Sequence, residues 1–218
     1  MNAPAPRAQR ELSEAFFDRP TAAVARDLLG CILVSSIGGR RTSGVIVETE
    51  AYLGSDDPGS HAATKGITSR NRVMYGPPGR AYVYFTYGNH HMLNLVTEAE
   101  GVAGAVLIRA IEPLEGLEVM CARRRGRTGV ELTNGPGKVA EALGIGLDHN
   151  GAQLGGVLAV ERASCVPDEA VVTSGRVGLS SGHDLPLRFF IAGSGYVSKG
   201  RTGPRPTRSA LGAGKGRA

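Results

Sequence analysis

Val45-Ile46-Val47-Glu48-Thr49-Glu50-Ala51-Tyr52 reads as a strand that starts apolar and ends on carboxylates and an aromatic ring. Side chains alternate faces in an extended chain, so Ile46, Glu48, Glu50 and Tyr52 are expected on one side. Glu50 and Tyr52 would then lie about 6.7 Å apart along the strand. A buried carboxylate without a partner is costly and is pushed towards its neutral form, the setting of a general base working near neutrality; Glu48, a neighbouring like charge, pushes the same way. The plain alternative is an edge strand whose glutamates face water.

Outward from this strand, the pattern predicts a helix over 21–29 closed by Gly30 and strands over 31–37 and 44–52. A hairpin over 81–97 follows, turning at Gly88-Asn89, then a strand over 105–111 and helices over 113–124 and 136–143. Later strands are expected over 157–162, 171–177 and 187–192. Strands joined by short turns, with helices at the ends, imply a mixed α/β (α+β) domain with a largely antiparallel curved sheet and flanking helices. With 218 residues, 41% of them apolar, the chain can bury one core, and its 32 glycines suit many tight connections. The expected division is a disordered N-terminus over 1–12, a single domain over 13–198 and a basic disordered tail over 199–218.

The charge is informative once divided. The chain carries +5, yet Lys199, Arg201, Arg205, Arg208, Lys215 and Arg217 fall in the last twenty residues with no acid among them, which leaves the rest at −1. Any nucleic-acid face on the globular part must therefore come from local clusters: Arg70-Asn71-Arg72, and Arg123-Arg124-Arg125-Gly126-Arg127, which equally suits a solvated helix C-terminus. The tail cannot bury a core and is expected to attract DNA nonspecifically. Cys31, Cys121 and Cys165 are odd in number and widely spaced, which argues against disulfides and a structural zinc. Gly135-Pro136-Gly137-Lys138 lacks the upstream glycine and the Ser or Thr of a nucleotide-binding loop, so an ATPase is excluded, while a DNA phosphate at Lys138 fits. No apolar run is long enough for a membrane helix and no signal peptide is evident, so a cytosolic protein without cofactor is expected.

His61 lies in a polar segment before the tyrosine-rich hairpin Tyr82-Val83-Tyr84-Phe85-Thr86-Tyr87-Gly88-Asn89. Tyr82 reads as half-buried core, whereas Tyr87 beside the tip is exposed and needs a reason. Each residue has a structural alternative: a surface His61, solvated Arg70 and Arg72, Asn94 satisfying a strand end, and Arg109 pairing with Glu112. Glu-Thr-Glu-Ala-Tyr-Leu-Gly at 48–54, His61, Arg70-Asn71-Arg72, Tyr84-Phe85-Thr86-Tyr87-Gly88, Met92-Leu93-Asn94, the run 107–113 and Asn134-Gly135-Pro136-Gly137-Lys138 together resemble the alkyladenine (3-methylpurine) DNA glycosylase family, from about Phe16 to Val197.

That resemblance implies removal of alkylated or otherwise damaged purines from double-stranded DNA after the nucleotide is flipped out. It implies Glu50 as the water-activating carboxylate, Tyr52, His61 and Tyr84 as the base pocket, and Asn94 as the residue crowding the guanine amino group. Tyr87 would be the wedge that makes this a DNA-inserting hairpin, and Arg109 would lie near the flipped nucleotide. Asn89 and His90 stand where members often carry larger apolar or aromatic residues. The chemistry is self-consistent: an alkylated purine is a cationic leaving group, so one carboxylate suffices to activate water and stabilise the sugar cation, while aromatic faces hold the electron-poor ring. Neither Lys65 nor Lys138 is placed as an amine nucleophile, so a monofunctional enzyme, acting as a monomer, is expected. Two rivals remain. A noncatalytic RNA- or single-strand-binding module would not need Glu50, and a nucleosidase would have no use for Tyr87 or a basic arm.

Overall fold

The computed structural model describes residues 10–200, apart from Tyr87 and the side chains of Thr64 and Lys65. Strand β2 (Thr42–Tyr52) organises the sheet. One of its edges pairs with β5 (Ala105–Glu115), and the other is shared: Thr42–Val45 pair with β1 (Ile32–Ser35), Glu48–Glu50 with β8 (Arg188–Ile191). Beyond β5 come β4 (His90–Val96) and then β3 (Ala81–Thr86), while β6 (Leu158–Glu161) extends β1 and β7 (Val171–Ser174) extends β8. Every pairing is antiparallel, as the short connections required. The β3–β4 hairpin turns through Gly88, whose φ of 73° is open to glycine at no steric cost.

One face of the sheet packs on helices. Helix α1 (Glu14–Phe17) leads into α2 (Thr21–Asp27), which lies against β2, and α5 (Pro136–Leu143) lies against β4 and β5 with α4 (Leu117–Arg123) beside it. Leu33, Ile46, Ala51, Val83, Leu93, Leu95, Val106 and Ile108 point into that core with Val24, Val139 and Leu143. The other face carries a smaller cluster of Tyr82, Val96 and Ala105, covered by Ala62 of α3 (His61–Lys65) and by Met74 in a 3-10 turn.

Register shifts between β2 and β5 re-aim the side chains. Ile46 pairs with Ile111 and Glu48 with Ala110, leaving Val47 as an extra residue; Thr49 then pairs with Ile108, leaving Arg109 extra on β5. A bulge breaks the two-residue alternation. Ile46 therefore faces the helical core, as do Thr49, which donates to the Ala25 carbonyl, and Ala51, whereas Glu48, Glu50 and Tyr52 face the other way. This corrects the expectation that Ile46 shares their side.

A second correction concerns residues 113–116. Pro113 pairs with Gly44, the strand runs on to Glu115, and the helix begins only at Leu117, after Gly116 in the left-handed region at φ 72°. The expected disordered ends fall mainly on residues 1–9 and 201–218, outside the described residues. Among the described residues no helix is long and apolar enough to cross a membrane.

Candidate active site

A cavity of about 290 Å³ opens on the sheet face opposite the main core. Strands β2 to β5 supply Tyr52, Tyr82, Tyr84, Asn94, Leu107 and Arg109 to its wall, and two covering segments supply His61 and Val177. Glu50 lies behind this wall and is wholly buried. Its Oε2 accepts from the Tyr52 hydroxyl at 2.9 Å and from Arg109 Nη1 at 3.1 Å, and its Oε1 accepts from the Val177 N–H at 2.7 Å.

The expectation of a partnerless carboxylate is thereby corrected, because three donors hold Glu50. Nor is Glu48 an uncompensated like charge: it accepts from Arg109 Nε at 2.9 Å, Arg188 Nε at 2.7 Å, and the N–H and hydroxyl of Ser198 at 2.6 and 2.8 Å. Two glutamates and two arginines make the buried cluster neutral, which is how a tightly packed sheet interior tolerates charge. Loss of water around Tyr52, and then the Glu50 charge, push its phenol well above the ordinary tyrosine range, so it remains a protonated donor. Burial works against the charge on Arg109, but Glu50 and Glu48 outweigh it and hold the guanidinium above its ordinary value.

His61 begins α3 rather than lying in a loop, with the Ser60 side chain accepting from the Ala62 N–H. Its Nδ1 is 3.1 Å from the Tyr82 hydroxyl, and its ring meets Tyr84 edge-on at 4.9 Å. Tyr82 is buried, as expected of core, yet it also lines the cavity. Burial, opposed by Arg70, pushes its phenol up to about 12. The signal for it was its two-residue spacing from Tyr84, which puts both rings on one strand face.

Asn94 sits within β4, not at a strand end, and its amide donates to the Tyr82 carbonyl at 3.1 Å. In Arg70-Asn71-Arg72 the middle residue is a buried latch: Asn71 donates to the carbonyls of His61 and Gly66 and accepts from Thr68. Arg70 is exposed beside the cavity, its guanidinium 4.8 Å over the Tyr84 ring, and Arg72 is exposed too.

Two residues expected at the DNA, Arg109 and Lys138, are paired within the protein. Arg109 is buried, bonded to Glu48, Glu50 and Ser198 rather than to Glu112. Lys138 holds Glu131 at 2.6 Å and Asn134 at 2.7 Å, and the neighbouring Gly137 is explained by packing: a Cβ there would sit 2.8 Å from the His90 ring. Arg123 donates to the Ala142 and Ile37 carbonyls and Arg124 pairs with Glu141, so the first half of that arginine run is structural. Tyr87 lies outside the described residues.

Arg176 and Asp57 escaped the sequence reading, since no spacing links residues 119 apart. Arg176 is fully buried, bonded to Asp57 and to the Ala51 and Gly182 carbonyls, with its guanidinium 4.8 Å over the Tyr52 ring. Burial raises the Asp57 carboxyl, but Arg176 and the backbone N–H groups of Gly59 and Leu53 hold it below the ordinary range. Among the described residues no group of His, Cys, Asp and Glu side chains could hold a metal ion.

Comparison with known proteins points to one family. The model of the methylpurine-DNA glycosylase family matches residues 15–195. A relative from Chlorobaculum tepidum, named "Putative 3-methyladenine DNA glycosylase", is 48% identical over 201 residues, which is 91% of this chain and 96% of that one. Proteins of the same name from Methanoculleus marisnigri and Carboxydothermus hydrogenoformans are 49% and 46% identical, each over 86% of this chain and 98% of their own.

Proposed function

The chain belongs to the methylpurine-DNA glycosylase family, a group of hydrolases acting on N-glycosidic bonds in DNA, and from that premise we propose that it flips an alkylated purine out of duplex DNA and releases it with a Glu50-activated water. The observation that carries this reading is the buried Glu50, whose donors Tyr52, Arg109 and Val177 line a cavity walled by tyrosines and His61. The purine enters between the aromatic walls, where an electron-poor ring gains most from stacking and cation–π attraction. As the C1′–N bond breaks, its electron pair goes to the base and positive charge builds on the sugar. Glu50 stabilises that charge and takes the proton of the water whose oxygen bonds to C1′. Tyr52, held protonated, and Arg109 orient the carboxylate.

Tyr87 acts as the wedge in the vacated stack, and exposed Arg70 and Arg72 meet backbone phosphates beside the cavity. Among the described residues no lysine lines the cavity, which supports hydrolysis without a lyase step.

The test uses a duplex carrying one alkylated adenine, the same lesion as a free nucleoside, and undamaged duplex. Free base from the first substrate alone, with the abasic strand left intact, is expected. Equal turnover of the nucleoside makes the protein a nucleosidase, binding without release makes it a stacking module, and a nicked strand removes the monofunctional assignment.

A further inference from the structure

We infer that Ser198 and Glu48 are positioning residues for the reaction, setting the Glu50 carboxylate through Arg109; this rests on Glu50 being the general base. A guanidinium is a planar, rigid fork, so its orientation is fixed by all of its acceptors together. In Arg109 the three nitrogens go to three acceptors: Nε to Glu48, Nη1 to Glu50 and Nη2 to the Ser198 hydroxyl at 3.0 Å. That hydroxyl in turn donates to Glu48 Oε1, while the Ser198 N–H holds Glu48 Oε2. Ser198 thus holds Arg109 directly and also holds Glu48, the other acceptor of Arg109 besides Glu50. Arg188, from β8, supplies the second positive charge on Glu48, so that Glu48 does not draw Arg109 off Glu50.

Without the Ser198 hydroxyl, Arg109 Nη2 loses its protein acceptor on a residue only 6% exposed. A buried donor left so recovers an acceptor by turning, and in a rigid fork that turn carries Nη1 away from Glu50. None of these residues needs to touch DNA. Ser198 is drawn from 89 residues beyond Arg109, in a segment after the last strand whose sequence carries no catalytic motif.

The test compares Ser198→Ala and Ser198→Thr with the parent for lesion-duplex affinity and for single-turnover excision at saturating protein, on preparations shown folded by circular dichroism. Ser198→Ala is expected to bind within about 3-fold of the parent but to excise at least ~10-fold more slowly, the scale on which misplacing a reacting group by an ångström acts. Ser198→Thr, which keeps the hydroxyl, should restore most of the rate. An Ala variant that excises within about 3-fold of the parent, or an equal loss in both variants, overturns the inference. Glu50→Gln run in parallel separates the two readings: if it is inactive while Ser198→Ala is not, only the positioning role falls, and if it stays active the base assignment itself falls.

Discussion

The hydroxyl of Tyr82 faces His61 across 3.1 Å, on a residue only 1% exposed, where a phenolate is poorly solvated. Its pKa of about 12, against an ordinary 10.0, couples folding to alkaline pH. Between those values the native state keeps a proton that the unfolded chain has lost, so stability falls as pH rises through the window and is unaffected by this group below it. Tyr82→Phe removes that contribution. Urea unfolding from pH 9 to 12 should show a shallower decline for Tyr82→Phe than for the parent, and identical declines would contradict the assignment. The same residue marks a limit of reading the chain alone. Tyr82 and Tyr84 were legible as one strand face, but whether a hydroxyl there meets solvent, core or a histidine depends on α3 folding across the sheet. Glu50 likewise stood out by its type and place, while its three donors come from β2, β5 and the segment after β7.

Among the elements, those legible in sequence were those with strong local punctuation. Gly88-Asn89 marked the hairpin and Pro136 opened α5, which runs 136–143 as expected. The β2–β5 bulges were not legible, because a bulge is a property of two strands in register and no single strand's pattern contains it. Nor was the helix start at 117, since Pro113 suits a strand partner as well as a helix N-terminus and the choice falls to Gly44 opposite it.

The segment after β7 is fastened to the end of β2 by the Asp57–Arg176 pair, which makes a prediction at this scale. Asp57 is held below its ordinary 3.8, so its contribution is present above that value and is lost as pH falls through the lower, native-state one. Asp57→Asn leaves a buried Arg176 uncompensated and should cost about 3–5 kcal/mol at pH 7. The gap to the parent should narrow in acid, where the unfolded parent takes up a proton that its native state resists. Chemical unfolding at pH 7 and pH 3 checks this, and an equal gap at both would contradict it.

For the whole molecule, the net charge of +5 divides into a nearly neutral globular part and a basic C-terminal arm. Removing residues 201–218 deletes Arg201, Arg205, Arg208, Lys215 and Arg217 but keeps Ser198. Binding to undamaged DNA should weaken, and its log–log salt slope should flatten by up to ~4.5, at about 0.9 for each phosphate contact, while saturating excision barely changes. An unchanged slope would mean that the arm does not meet DNA. The fold class was readable at this scale because strand and helix order survives without long-range knowledge. The neutral Glu48–Glu50–Arg109–Arg188 cluster was not, because it gathers strands that are distant in sequence. Glu50 stands at one end of it, paired with Arg109, and the most direct measurement is single-turnover release of a methylated purine from duplex DNA by Glu50→Gln. The amide keeps the shape, so lesion-duplex affinity should stay close to the parent's while release falls by ~10²-fold to ~10⁴-fold, the usual worth of a general base. Release within tenfold of the parent would contradict the account.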